Sequence, residues 1–174
     1  YLTSSGATGG NGVQVTGCVG VTVDNITTFG NAWGSFAIYS SGGSYLNRGS
    51  SNVSINGTSC SFGEGNLFNQ DEFGLTNTNI TVSGYDYLVK NDVDAPGYDF
   101  FKVDLAAATA AALAGGPNAY IVPIAGGPLE VVEGMFIQTA INAALPGDTI
   151  NVAAGTYDEN LNFNKSITLN GPNA

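Results

Sequence analysis

The sequence predicts a mainly β (all-β class) protein, a right-handed parallel β-helix accompanied by two short helices. Two observations carry that expectation. From Gly12 to about Leu88, short alternating apolar stretches are separated by Gly, Asn and Ser, the pattern of half-buried strands joined by tight turns. Within that span one local pattern recurs. Val21-Thr22-Val23-Asp24-Asn25, Val53-Ser54-Ile55-Asn56-Gly57 and Ile80-Thr81-Val82-Ser83-Gly84 each read apolar, hydroxyl, apolar, polar, turn residue, and they begin 32 and 27 positions apart. A period of this length signals a stacked solenoid.

The strands follow in order. Val13 with Val15, Val19 with Val21 and Val23, Phe36 with Ile38, Val53 with Ile55, Cys60 with Phe62, and Ile80 with Val82 each place apolar side chains on one face. A single coil cannot bury such a face alone. Stacked coils can, with Val21, Val53 and Ile80 forming a column along a narrow core. Asn and Gly suit the corners because both tolerate positive φ, and aligned Asn side chains are expected to bond from coil to coil. An antiparallel sandwich would use similar short strands and turns.

These coils occupy residues 1–89. Residues 90–128 read as a connector, opening with the turn-rich acidic loop Asn91-Asp92-Val93-Asp94-Ala95-Pro96-Gly97. An Ala-rich helix is expected over Leu105 to Leu113, stopped by Gly115-Gly116-Pro117. A strand over Ala119 to Ile124 follows. In residues 129–174, Phe136, Ile137, Ala140, Ile141, Ala144 and Leu145 keep helical spacing until Pro146-Gly147-Asp148. Strands are then expected at Thr149–Val152, Leu161–Phe163 and Ser166–Leu169.

Ile137-Gln138-Thr139-Ala140-Ile141-Asn142-Ala143-Ala144, Pro146-Gly147-Asp148-Thr149-Ile150, Ala154-Gly155-Thr156-Tyr157 and Asn164-Lys165-Ser166-Ile167-Thr168-Leu169-Asn170-Gly171 together resemble the opening of pectin-lyase-like parallel β-helix proteins of the bacterial secreted or surface, adhesin-like type. The resemblance covers Phe136 to Gly171. It implies that the amphipathic helix caps the end of a β-helix and that the following strands form its first coils. No catalytic residue of the family's lyases or hydrolases has a match here. A segment resembling the start of a β-helix thus follows coils that look like later ones, so the chain reads as a junction between two β-helices or as a piece of a longer protein.

Composition narrows the function. Fourteen acidic residues against four basic ones give a net charge of −10, which repels phosphate backbones and anionic membrane surfaces. Arg48, Lys90, Lys102 and Lys165 are scattered, so no nucleic-acid partner is expected. Nor is membrane insertion, because the apolar helical stretches are too short. Low charge with abundant Gly, Ser, Thr and Asn suits an extracellular or cell-surface protein. Cys18 and Cys60 allow either one disulfide or two small core-facing residues. Asn-x-Ser/Thr sequons begin at Asn25, Asn52, Asn56, Asn79 and Asn164.

The chain has no histidine, so the commonest general base is absent. Two acidic groupings could hold Ca²⁺ through carboxylate and carbonyl oxygens: Asp71 with Glu72, and Asp92, Asp94 and Asp99. Both groupings also fit solvated loop acids, the plainer reading. Paired carboxylates would also serve glycoside hydrolysis at the right separation. The aromatics Tyr85, Tyr87, Tyr98, Phe100 and Phe101 fit either packed core or a sugar-stacking platform, and Trp33 either a loop-borne contact or a lid on the core. The sequence therefore leads to a non-enzymatic structural or adhesive module, self-associating through open coil edges into a filament or surface layer, with carbohydrate as a further partner. The alternative is a fragment of a carbohydrate-active β-helix protein.

Overall fold

A computed structural model describes residues 2–42, 46–63, 67–91 and 98–172. Among the described residues the chain is mostly β and carries two helices. It divides into two compact units, Tyr1–Tyr85 with Pro96–Phe101, and Asp86–Ala95 with Lys102–Ala174. The expected connector, residues 90–128, thus contributes to both.

In the first unit the chain visits three sheets in turn, three times. The first pass is β1 (Leu2–Ser5), β2 (Asn11–Thr16) and β3 (Val19–Val23); the second is β4 (Ile26–Phe29), β5 (Gly34–Tyr39) and β6 (Ser51–Asn56). The third is β7 (Ser61–Phe62), β8 (Leu67–Gln70) and β9 (Thr78–Ser83). Each strand lies parallel to its counterpart in the next pass, giving sheets β1-β4-β7, β2-β5-β8 and β3-β6-β9. Val21 aligns with Val53 and Val53 with Ile80, the column expected from the repeats. The parallel pairing excludes an antiparallel sandwich for these strands.

Two further columns, Val13–Phe36–Leu67 and Val15–Ile38–Asn69, line the sheet of β2, β5 and β8. The middle pass is the driest. Phe36, Ile38, Val53 and Ile55 are fully or almost fully buried, and Phe62 packs 6.0 Å from Phe36. Burying side chains of this size contributes about 1.5–3 kcal/mol each.

Polar side chains tie the corners from pass to pass. Ser50 Oγ accepts from the Cys18 amide (3.2 Å) and donates to the Tyr39 carbonyl (2.7 Å). Ser50 N–H in turn donates to Asn77 Oδ1 (2.6 Å). Asn77 Nδ2 completes its bonding on Asn69 Oδ1 and the Gln70 carbonyl. Cys18, Ser50 and Asn77 each precede a strand of the third sheet, so one corner is bonded through all three passes. Asn52 and Asn79 both hold φ near 52° and are joined by an Asn79 Nδ2 to Asn52 Oδ1 bond of 3.0 Å. This amide bond runs from one pass to the next. Cys18 and Cys60 are free and half-buried, with Cys18 Sγ donating to the Thr16 carbonyl (3.3 Å).

The second unit begins with β10 (Tyr87–Asn91). The chain then returns to the first unit, where Tyr98–Phe101 of β11 (Tyr98–Lys102) lie antiparallel to β8 of that same unit. Helix α1 (Leu105–Gly115) starts where Asp104 accepts from the Ala107 amide (2.7 Å) and stops at Gly116, whose φ is 101°. It packs on β10 and on β12 (Ala119–Pro123), which pair antiparallel. Beyond them lie β13 (Leu129–Val131), β14 (Thr149–Val152) and β15 (Thr168–Asn170), with β13, β14 and β15 parallel.

Helix α2 (Ile137–Ala143) sits between β13 and β14 in sequence and is tied by charged side chains from the segment after β14. At its start the Glu159 carboxylate accepts from the Ile137 and Gln138 amides (2.7 and 3.0 Å). At its end Lys165 Nζ donates to the Asn142 and Ala144 carbonyls (both 2.8 Å). Anion at the start and cation at the end both complement the helix dipole.

Two expectations fail in detail. Leu161–Phe163 is not a strand, because Gln138 takes both backbone groups of Asn162: its Oε1 accepts from the amide (2.7 Å) and its Nε2 donates to the carbonyl (3.3 Å). A side chain thus replaces the neighbouring strand. The last strand also starts at Thr168 rather than Ser166.

Gly49 lies where an added Cβ would run into the Thr76 carbonyl one pass later. Gly49→Ala is therefore expected to lower stability by about 1–3 kcal/mol in denaturant titration, and an unchanged midpoint would contradict the close approach of passes. Burial, and secondly the neighbouring Cys60, raises the Tyr85 phenol above its ordinary value of 10.0. A raised folded value means stability present below pH 10 and lost as pH rises through the folded pKa. Melting temperature should fall above about pH 10, and Tyr85→Phe should flatten that fall; identical profiles would refute the assignment.

Candidate functional site

Alternation gives the β2-β5-β8 sheet a second face, opposite the Phe36 and Ile38 columns. Along it Thr16, Tyr39 and Gln70 align strand by strand, as do Gln14, Ala37 and Phe68. Tyr39 stands edge-on to Phe68 (5.7 Å, 83°), and Phe68 packs 5.7 Å from Phe100. Aromatic packing stiffens this face. Over its Thr16–Tyr39–Gln70 row lies a cleft of about 560 Å³, a volume in the range of small-molecule sites.

Two loops wall the cleft, and each carries an aromatic. Trp33 lies in the turn between β4 and β5, whose backbone is pinned to the previous pass: Ala32 N–H donates to Ala7 O (2.9 Å) and Trp33 N–H to Gly10 O (3.0 Å). Buried Asn31 adds bonds to Ser4 O and from Ala7 N–H (both 3.2 Å). The backbone is fixed, yet the indole is 64 % exposed.

Phe73 faces the cleft from the turn Glu72-Phe73-Gly74-Leu75, where Leu75 N–H donates to Glu72 O (2.9 Å). Its φ is 58° and that of Gly74 is 70°, the left-handed pair of a type I′ turn, which favours Asn-Gly over an aromatic. Buried Ser40 clamps the turn, its Oγ accepting from Glu72 N–H (2.6 Å) and donating to Glu72 O (2.9 Å). Gly42 leaves room for the Phe73 ring, which a Cβ there would strike. Phe73 is nevertheless 73 % exposed. A bulky residue held in the left-handed region and presented to solvent is strain of the kind that collects at ligand contacts.

The sequence-derived candidates are dispersed. Asp71 and Glu72 are separated in role: Asp71 Oδ1 accepts from the Asn77 amide (2.9 Å), while Glu72 lines the cleft. Asp99 lies on β11 opposite Asn69. Asp92 and Asp94 lie outside the described residues. Among the described residues no group of three or more His, Cys, Asp and Glu converges as metal ligands, and no helix is long and apolar enough to cross a membrane. Of the aromatic run, Phe101 is buried with Tyr85 edge-on to it (6.5 Å, 86°), and Phe100 packs on Phe68. These rings pack; the exposed aromatics that line the cleft are Trp33 and Phe73. Phe73 escaped sequence reading, and its only signal was an isolated aromatic before Gly in a turn.

No family model matches the chain, and neither the curated proteins nor the solved structures provide a match.

Because the Phe73 turn prefers Asn, Phe73→Asn is expected to stabilise the fold by about 1 kcal/mol, raising the melting temperature by roughly 2–4 °C. A lower melting temperature would show that the ring's packing on Gly42 outweighs the strain.

Proposed function

We propose that this chain is an extracellular, cell-surface structural and adhesive module, built as a right-handed parallel β-helix that holds a binding cleft on the outside of one sheet. The observation that carries the reading is the pair of exposed aromatics, Trp33 and Phe73, presented from bonded loops over a stiff parallel sheet. Exposed apolar side chains on a rigid frame suit contact with a partner surface. The right hand is supported by the strong chirality of parallel crossover connections, and the pectin-lyase-like resemblance of Phe136 to Gly171 agrees with it.

The structural part of the reading rests on the ladder that links the parallel strands β13, β14 and β15. In the second unit, Glu130, Asn151 and Asn170 form a side-chain ladder (2.9 and 3.3 Å) beside the Leu129–Ile150–Leu169 column, and β15 ends that sheet among the described residues. A side-chain ladder of this kind can be extended by a further parallel strand, whether from this chain or from another copy of it. A carbohydrate-active enzyme is the rival. Most glycosidases work with two carboxylates across the bound sugar, and Glu72 is the one carboxylate among the described lining residues.

Retention on films of neutral polysaccharide, acidic polysaccharide and gelatin, followed by quartz-crystal microbalance, tests the reading. The expected result is retention on at least one film, growth beyond a monolayer, and at least a tenfold loss with Trp33→Ala. Absence of retention on every film, with release of sugar fragments from one of them, would establish the enzyme instead.

A further inference from the structure

We propose that the cleft takes an uncharged pyranose chain, with sugar rings seated on Trp33 and Phe73. The proposal rests on the adhesive reading and adds the ligand's chemical class. The negative face of an aromatic ring attracts the polarised C–H bonds on the flat face of a sugar, and both rings stand ready in solvent on backbones already held by hydrogen bonds. Little ordering is left to be done on binding, which favours affinity.

Polar groups in the cleft select among amphipathic ligands. Gln14 and Gln70 offer amide donors and acceptors on the floor, Ser41 a hydroxyl on the wall, and Glu72 a carboxylate. Ionised Glu72 can only accept, so its partner must bring donors. Sugar hydroxyls do. A proline-rich peptide, which also docks on aromatic grooves, presents mainly carbonyl acceptors. Uronate, sulfate and phosphate groups are acceptors as well, and they carry charge of the same sign as Glu72 and as the chain, whose net charge is −10. No Lys or Arg is among the described lining residues. Arg48, whose backbone pairs with Ser41, directs its Nε to the Gly17 carbonyl (2.7 Å). No described lining residue would compensate an anionic sugar.

Trp33 is the single tryptophan of the chain, so its fluorescence reports on this site alone. The full chain is titrated with cellohexaose, mannohexaose, N-acetylchitohexaose, hexagalacturonate and a proline-rich decapeptide. At least one neutral hexasaccharide should shift the emission saturably, Phe73→Asn should weaken that response about tenfold, and hexagalacturonate should leave the emission unchanged. A saturable response to hexagalacturonate or to the peptide, or none to any neutral hexasaccharide, overturns the assignment. If Trp33-dependent retention on films persists without a hexasaccharide response, the ligand class fails while the adhesive reading stands. If film retention is absent as well, both fail.

Discussion

Everything in the first unit depends on the register in which one pass of the chain lies on the next. Parallel strands have no tight hairpin to set their alignment, and a slip of one residue would turn every core side chain outward. Here the alignment is secured twice. The apolar columns Val21–Val53–Ile80 and Val23–Ile55–Val82 hold the sheet interior, while Ser50, bonded to Cys18, Tyr39 and Asn77, holds a corner. The hydrophobic term is the larger, but it is non-directional. The corner bonds supply direction, since leaving such buried polar groups unpaired would cost about 1–3 kcal/mol each.

The same stacking makes a site possible. Strands that repeat in register repeat their outward residues too, so Thr16, Tyr39 and Gln70 become a row rather than scattered positions. Loops between strands are free to differ from pass to pass, and two of them carry the aromatics. Strain at Phe73 is tolerated because the Ser40 clamp and the packed sheet over-determine its turn. Rigidity of the frame and exposure of the contact residues are thus two consequences of one architecture.

Legibility followed the same division. The register of the third sheet could be read directly because its outward residues are polar, so alternation shows. β5 and β8 are buried on both faces, which weakens alternation: Phe36 and Ile38 marked the first, and Leu67–Gln70 went unread. β1 and β4 are too short and hydroxyl-rich to stand out. Both helices were visible from composition and spacing, whereas Leu161–Phe163 misled, since no local pattern shows that Gln138 will take the backbone of Asn162. For the site, Trp33 was noticed as a loop residue. The partnership with Phe73 depends on two turns from different passes meeting over one sheet, which is a property of the stacking and not of either segment.

The most direct test of the stacking is the pattern of interstrand nuclear Overhauser effects across β3, β6 and β9 in isotopically labelled protein. Parallel register predicts sequential-type Hα to amide-proton cross-peaks linking the Val21 and Ile80 strands to opposite sides of the Val53 strand, with no short Hα to Hα contacts among them. Strong Hα to Hα cross-peaks between these strands, or a central position for any strand other than β6, would contradict it.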